Sequence, residues 1–157
     1  MLILGSMPGV RSLEAGQYYA HPRNLFWQII EQLLDIPAAA PYSQRCQLLM
    51  AQNVALWDVI GRCERAGSLD SAIRNATLQP NDFAGFFAAH RHLTHVFFNG
   101  AKAEEVFQRR VLPGVSDLLN EVAFQRLPST SPAYASLSFD EKCRAWRVVA
   151  AAVSSYG

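Results

Sequence analysis

The stretch Thr94-His95-Val96-Phe97-Phe98-Asn99-Gly100 decides the fold. Its apolar run is too short to wind as a helix of its own, is rich in residues that favour a pleated surface, and stops at Asn-Gly. Thr94 to Phe98 therefore reads as a strand. The residues that follow, Ala101 to Val111, carry apolar side chains at helical spacing up to Pro113-Gly114, which predicts a helix ending there. A buried strand, a tight turn and a helix make the repeating unit of an α/β fold, and the rest of the chain can be read outward from it.

On the N-terminal side, Asn81 to Ala89 reads as a helix and Val54 to Ile60 as a short strand running into a loop that carries Trp57, Asp58 and Arg62. Ser43 to Gln52 reads as a helix with Leu48, Leu49 and Met50 turned inward. Asn24 to Leu34 has apolar residues at 25, 26, 29, 30, 33 and 34, a helical stripe. The segment Gly5 to Pro22, punctuated by Gly5, Pro8, Gly9, Gly16 and Pro22, shows no periodicity and reads as one long loop, a feature usually tied to function. Met1 to Leu4, closed by Gly5, reads as a buried strand, and a chain opening directly on a strand predicts natural residues before Met1. On the C-terminal side, Glu121 to Leu127 alternates as a strand, Pro128 to Ser138 is a Ser/Pro-rich loop, and Phe139 to Ser155 is a terminal helix. Strands alternating with helices predict an α/β sandwich with a mostly parallel sheet, and 157 residues predict a single domain over 1–157.

Composition narrows the function classes. Hydrophobic residues make up 50% and charged residues 17%, which excludes a disordered or coiled-coil chain. A net charge of +1 leaves any polyanionic partner to a local surface rather than to the field of the whole molecule. Cys46, Cys63 and Cys143 are scattered and odd in number, which predicts reduced thiols and a cytoplasmic location. No apolar run is long enough to span a membrane and no leader is apparent, so no membrane partner is expected. His90, His92 and His95 straddle a helix end and a strand, a poor ligand geometry, and no metal is expected.

In parallel sheets, ligands sit where the carboxyl ends of the strands release their loops. The loop after Leu4, the Asn99-Gly100 turn and the Ser/Pro loop after Leu127 all fall there and predict a cleft. Within these segments Gly5-Ser6-Met7-Pro8-Gly9 has the glycines of a phosphate loop without its lysine or spacing. Asn24 reads most simply as a helix N-cap, Asn99 as a turn residue, His21 as a hydrogen-bonded structural histidine, and Phe26 or Trp27 as core. Asp58 and Asp70, with Arg62 and Arg65, are within reach of the cleft in one reading and are helix caps and surface pairs in the other, which is the safer one.

The combination is more specific than its parts. GSMPG (5–9), QYYAHPRNLFW (17–27), LWDVIGRC (56–63), GSLDSAI (67–73), FFNGAKA (97–103) and LPSTSPAYA (127–135) resemble the uracil-DNA glycosylase superfamily, and within it the hypoxanthine-DNA (deoxyinosine) glycosylase branch. The resemblance runs from Met1 to about Trp146. It implies a three-layer α/β/α sandwich with a short, mainly parallel, four-stranded central sheet. It implies hydrolysis of the N-glycosidic bond of a deaminated base flipped out of DNA, with hypoxanthine first and uracil second, in base excision repair. No cofactor is implied, the partner is DNA containing deaminated bases, and a monomer is expected.

The resemblance also implies roles for single residues. Asn24 matches the branch's catalytic asparagine, which would orient water, and Asn99 a second one, with base recognition as its role. Gly5, Ser6 and Met7 would line the substrate site, with His21 beside it, and either Tyr18 or Tyr19 would stack on the base. Ser129, Ser131 and Pro132 belong to the loop that presses on the minor groove and flanking phosphates, with Pro132, Ala133 or Tyr134 as the wedge. Met7 stands where the mismatch-specific uracil branch has a water-positioning asparagine, which places the water on Asn24 and weakens the case for vigorous uracil excision. Lys102 and Lys142, the only lysines, lie outside any Schiff-base block, so hydrolysis is expected to stop at the abasic site. The alternatives are a damaged-base or abasic-site binding module that lost turnover, favoured by Met7, and a hydrolase of free nucleosides.

Overall fold

A computed structural model gives the structure of residues 1–155; Tyr156 and Gly157, the end of the expected domain span, lie outside the described residues. In chain order the elements are β1 (Leu2–Gly5), α1 (Val10–Ala15), α2 (Phe26–Leu34), α3 (Tyr42–Ala51), β2 (Ala55–Asp58), β3 (Ile60–Arg62), β4 (Gln79–Pro80), α4 (Phe83–Ala89), β5 (His95–Asn99), α5 (Ala101–Val106), α6 (Leu112–Val115), β6 (Ala123–Leu127) and α7 (Phe139–Ser154). The central sheet has the order β2-β1-β5-β6, and all its neighbours are parallel. Gly5 lies opposite Asp58 and Asn99 opposite Leu127, so the four strands end nearly flush at one edge.

Alternation along the strands builds the layers. Ile3 and Phe97 face a core made with Phe26, Ile29 and Ile30 of α2, Leu49 of α3 and Trp146 and Val149 of α7. Leu2, Leu4, Val96 and Phe98 face the other way, onto Phe83 and Phe87 of α4 and the α5–α6 segment through Val106, Phe107 and Val115. Each of these large apolar side chains gains roughly 1.5–3 kcal/mol from burial, so both faces of the sheet are fixed. The result is the expected three-layer α/β/α sandwich. Phe26 and Trp27 are both core, and α7 begins with the Ser138–Glu141 capping box.

Four local readings need correction. Val54 to Ile60 is not one strand: the chain leaves the sheet at Val59, and Ile60–Arg62 pairs antiparallel with Gln79–Pro80. Asn81 draws it away, its side-chain amide donating to the Asp58 carbonyl at 2.7 Å and its backbone N–H to Val59. The loop Gly5 to Pro22 contains α1, closed by Gly16 in the left-handed region at φ 61°, a helix too short to show a periodicity. Pro113-Gly114 does not end the helix after β5; a π-turn over Phe107–Val111 leads into α6, where Pro113 occupies the first turn and needs no N–H partner. Met50 is exposed, because α3 turns only Leu49 fully inward. No helix among the described residues is long and apolar enough to cross a membrane.

Candidate active site

The flush ends of the strands bring together residues far apart in sequence. Asp58 ends β2, Gly5 ends β1, Asn99 ends β5, and Leu127 ends β6 ahead of the Ser/Pro loop. Gly5 is required there by close approach. A methyl group on it would lie 2.4 Å from Asp58 Oδ1 and 3.3 Å from the Tyr19 hydroxyl. Gly100 is required for a second reason, a φ of 99° as the chain turns into α5 with Ser129 packed against it.

Asn99 is buried, and both ends of its amide are engaged. Its Nδ2 donates to Thr130 Oγ1 at 2.9 Å, and its Oδ1 accepts from the Thr130 N–H at 2.9 Å. Thr130 is fully buried, and its carbonyl accepts from the Leu25 N–H at 3.0 Å, at the start of α2. The adjoining residue is Asn24, whose Oδ1 accepts from the Phe26 N–H at 3.0 Å. The N-cap position of α2 is Leu25, so Asn24 is not the expected cap: it stands one residue earlier and closes a local turn onto the Phe26 N–H. An amide oxygen has a second lone pair, and the Asn24 side chain is only half-buried, so this bond fixes its orientation without exhausting its capacity. Thr130 therefore joins β5, the Ser/Pro loop and the start of α2, the three segments that carry both asparagines.

The two tyrosines differ. Tyr19 stacks on Phe26 with ring centroids 4.0 Å apart and sits at φ 57°, a conformation uncommon for a bulky residue. Its hydroxyl is buried without a hydrogen-bond partner among the described residues. Burial, with the nearby Asp58 adding to it, pushes this phenol far above its usual range, so it stays neutral. Tyr18 is held by its backbone, its N–H donating to the Tyr42 hydroxyl and its carbonyl accepting from Trp27 Nε1. Burial pushes its phenol up to about 12.

The loop after β1 is bound to the segment 65–70. Ser6 Oγ donates to Asp70 at 2.6 Å, the Val10 N–H donates to Ser68 Oγ at 2.9 Å, and Arg65 donates to the Pro8 carbonyl. The sulfur of Met7 accepts from the Cys63 thiol at 3.8 Å. The block Gly67 to Ile73 thus has a structural role, holding Ser6 to Gly9 over the strand ends. His21 accepts the Arg23 N–H on Nδ1, a local turn contact. In the Ser/Pro loop, Ser129 Oγ accepts from the Ser131 N–H and Ser131 Oγ from the Ala133 N–H, each at 3.2 Å, while Pro132 lies half-buried beside them. Trp146 Nε1 anchors this loop from α7 by donating to the Pro128 carbonyl at 2.9 Å. Lys142 is buried, with Nζ donating to the Tyr134 carbonyl.

Thr130 is what the sequence reading missed, and for Asp58 it preferred a cap or surface pair to a place at the cleft. Asp58 is not a surface pair: it is 6% exposed, and its carboxylate has no hydrogen bond among the described residues. Burial, reinforced by Asp70 and opposed by Arg65, raises its pKa to about 7. Its position at the carboxyl end of a strand was the available signal. Nothing in the sequence distinguishes Thr130 from the serines beside it. No group of three His, Cys, Asp or Glu side chains among the described residues is arranged to hold a metal ion.

A parallel sheet whose carboxyl edge gathers two amides, an aromatic ring and a desolvated carboxyl defines an α/β protein built to receive a ligand at that edge. The family model described as the uracil DNA glycosylase superfamily matches residues 1–151. A hypoxanthine DNA glycosylase from Methanosarcina acetivorans is 34% identical over 129 residues, 74% of this chain and 78% of that protein. Another from Methanosarcina barkeri is 34% identical over 106 residues, 67% of this chain and 66% of that protein. A solution NMR structure from Methanosarcina acetivorans, described provisionally as a uracil DNA glycosylase, superimposes with a TM-score of 0.78 at 30% identity, covering 98% of this chain and 89% of the other. The chain belongs to the uracil DNA glycosylase superfamily.

Proposed function

We propose that this chain is a monofunctional DNA glycosylase that hydrolyses the N-glycosidic bond of deaminated bases in DNA, hypoxanthine first and uracil second. The observation that carries the reading is the frame at the strand ends, in which Thr130 bonds Asn99 and Leu25, the neighbour of Asn24, at one edge of the sheet. The names of the Methanosarcina relatives support hypoxanthine as the base.

A base rotated out of the duplex, at a cost of a few kcal/mol, needs a π-surface and polar groups to hold it. Tyr19 supplies the surface. One of its faces is backed by Phe26 and its hydroxyl is buried, which leaves ring and backbone as its exposed parts. Asn24, with Oδ1 aimed by the Phe26 N–H, orients the water that attacks C1′ of the sugar as an oxocarbenium-like state develops. Asn99 keeps one amide hydrogen and one lone pair beyond its bonds to Thr130 for the base edge. Gly5, Ser6 and Met7 form the floor, His21 shapes the turn into Asn24, and Ser129, Ser131 and Pro132 meet the DNA backbone. Lys142 is enclosed under Tyr134 and Lys102 is tied to Asn75 and Glu105, so neither is free to form a Schiff base and the product is the abasic site. The enzyme works as a single-domain monomer in the cytoplasm, in base excision repair.

Met7 favours a second reading, a damaged-DNA binding module, because its sulfur faces Cys63 where the mismatch-specific branch carries an amide. Single-turnover assays separate the two. The wild-type chain is expected to form abasic sites in oligonucleotides bearing hypoxanthine, more slowly with uracil, and not to cleave free deoxyinosine. Tight binding to the same strands without excision would leave the binding module.

A further inference from the structure

Asp58 and the Tyr19 hydroxyl meet in the strand-end site, 2.4 and 3.3 Å from the place a Cβ on Gly5 would occupy. The hydroxyl is buried without a hydrogen-bond partner among the described residues, and the Asp58 carboxyl is 6% exposed with no donor bonded to it there. A carboxyl that served only to hold the fold would cap a helix or meet an arginine. Arg65, the nearest candidate, is instead bound to the carbonyls of Met7, Pro8 and Gly67, and Asp70 is engaged by Ser6. Buried groups without partners are rare in native structures and concentrate where a ligand completes them.

We propose that Asp58 is a further catalytic residue, the proton donor to the departing base. The proposal rests on the glycosylase reading and adds a leaving-group role to it. The electron pair of the C1′–N9 bond passes to the purine as the bond breaks, and the Asp58 proton passes to one of the base's acceptor atoms, so neutral hypoxanthine leaves. Water adds to C1′ and loses a proton to solvent, and Asp58 regains one from solvent. An acid is best matched to this task when its pKa lies near the working pH. The titratable and charged groups facing Asp58 are Tyr18 and Tyr19 from the first loop and Asp70 and Arg65 from the 65–70 segment. Both phenols remain neutral through the physiological range, Asp70 favours the protonated acid, and Arg65 opposes it. A neutral carboxylic acid suits a base rich in acceptors, as hypoxanthine is with N3, N7 and O6.

The test is single-turnover excision of hypoxanthine from an oligonucleotide across about pH 5 to 9, with wild type and Asp58→Asn, alongside binding of the same strand and thermal unfolding at each pH. The wild-type rate is expected to be flat below about pH 7 and to fall roughly tenfold per unit above it. Asp58→Asn is expected to lose about a hundredfold on the plateau, to lose the alkaline limb, and to bind within a few-fold of wild type. Excision by Asp58→Asn at the wild-type rate and with the wild-type profile overturns the proposal and leaves the glycosylase reading intact. No excision by the wild type overturns both. Should the variant fail to fold, the wild-type profile decides, and a rate independent of pH between about 6 and 9 overturns the role of Asp58.

Discussion

Thr130 and Asp58 are both buried polar residues at the carboxyl edge of the sheet, and they use their polar atoms in opposite ways. Thr130 has its N–H, hydroxyl and carbonyl all bonded, to Asn99 on one side and Leu25 on the other. Asp58 has a carboxyl with no donor bonded to it among the described residues, beside the Tyr19 hydroxyl, which is fully enclosed and unpartnered there. The first arrangement is what geometry requires and the second is what chemistry requires. A saturated group holds its neighbours in one place, whereas a desolvated, unpaired one is costly until a ligand meets it. The site is thus divided between a rigid polar joint and a reactive end.

That division can be broken or sharpened by substitution. The largest effect is expected at Asn24, which belongs to both halves. Asn24→Ala should lower single-turnover excision about a hundredfold or more, and loss of its bond to the Phe26 N–H should destabilise the fold by roughly 0.5–1.5 kcal/mol. Next is Thr130→Val, which keeps the shape and removes the hydroxyl. It leaves the Asn99 amide short of a partner, so thermal unfolding should report a loss of about 1–3 kcal/mol, and excision should fall about tenfold because the asparagines shift relative to each other.

Asp58 gives the opposite sign in stability. Its folded pKa of about 7 lies above its unfolded value of 3.8, so the folded state binds the proton more tightly. Its contribution is therefore fully present below about pH 4 and is lost as pH rises through about 7. Relative to Asp58→Asn, the wild type should lose a few kcal/mol of unfolding free energy between about pH 4 and 8, measured by denaturant titration at each pH. The smallest effect is expected at Ser131→Ala, whose hydroxyl holds only a turn in the Ser/Pro loop. Unfolding should change by about 0.5 kcal/mol or less, and excision should slow modestly through weaker DNA binding.

Much of this was legible in the chain. Thr94 to Asn99 and Met1 to Gly5 announce buried strands because both faces of a parallel sheet are covered, so the apolar runs are continuous. Convergence of the first loop, Asn99 and the Ser/Pro loop followed from the rule that such sheets present their loops at one edge. The same rule applies to Asp58, which reads as part of the loop after the Val54 strand, where a cap or surface pair is the safer assignment. The break at Val59 depends on Asn81, and a contact across that separation leaves no local periodicity. The short helix α1 and the π-turn through Phe107 were illegible for a related reason, since each is held by what it packs on rather than by its own pattern. Asn24 reads most simply as an N-cap, whereas α2 takes Leu25 at that position and Asn24 bonds the Phe26 N–H from one residue earlier, an offset that sequence pattern does not resolve.

The most direct test of the central account, that the strand-end edge is a hydrolytic site with Asn24 on the water, is a paired measurement on Asn24→Ala. Single-turnover excision and equilibrium binding would be measured on one hypoxanthine-bearing duplex. The account predicts binding close to wild type with excision lower by about two orders of magnitude or more, since a water-positioning group acts on the reacting state and not on the bound one. Excision at the wild-type rate, or an equal loss of binding and excision, would contradict it.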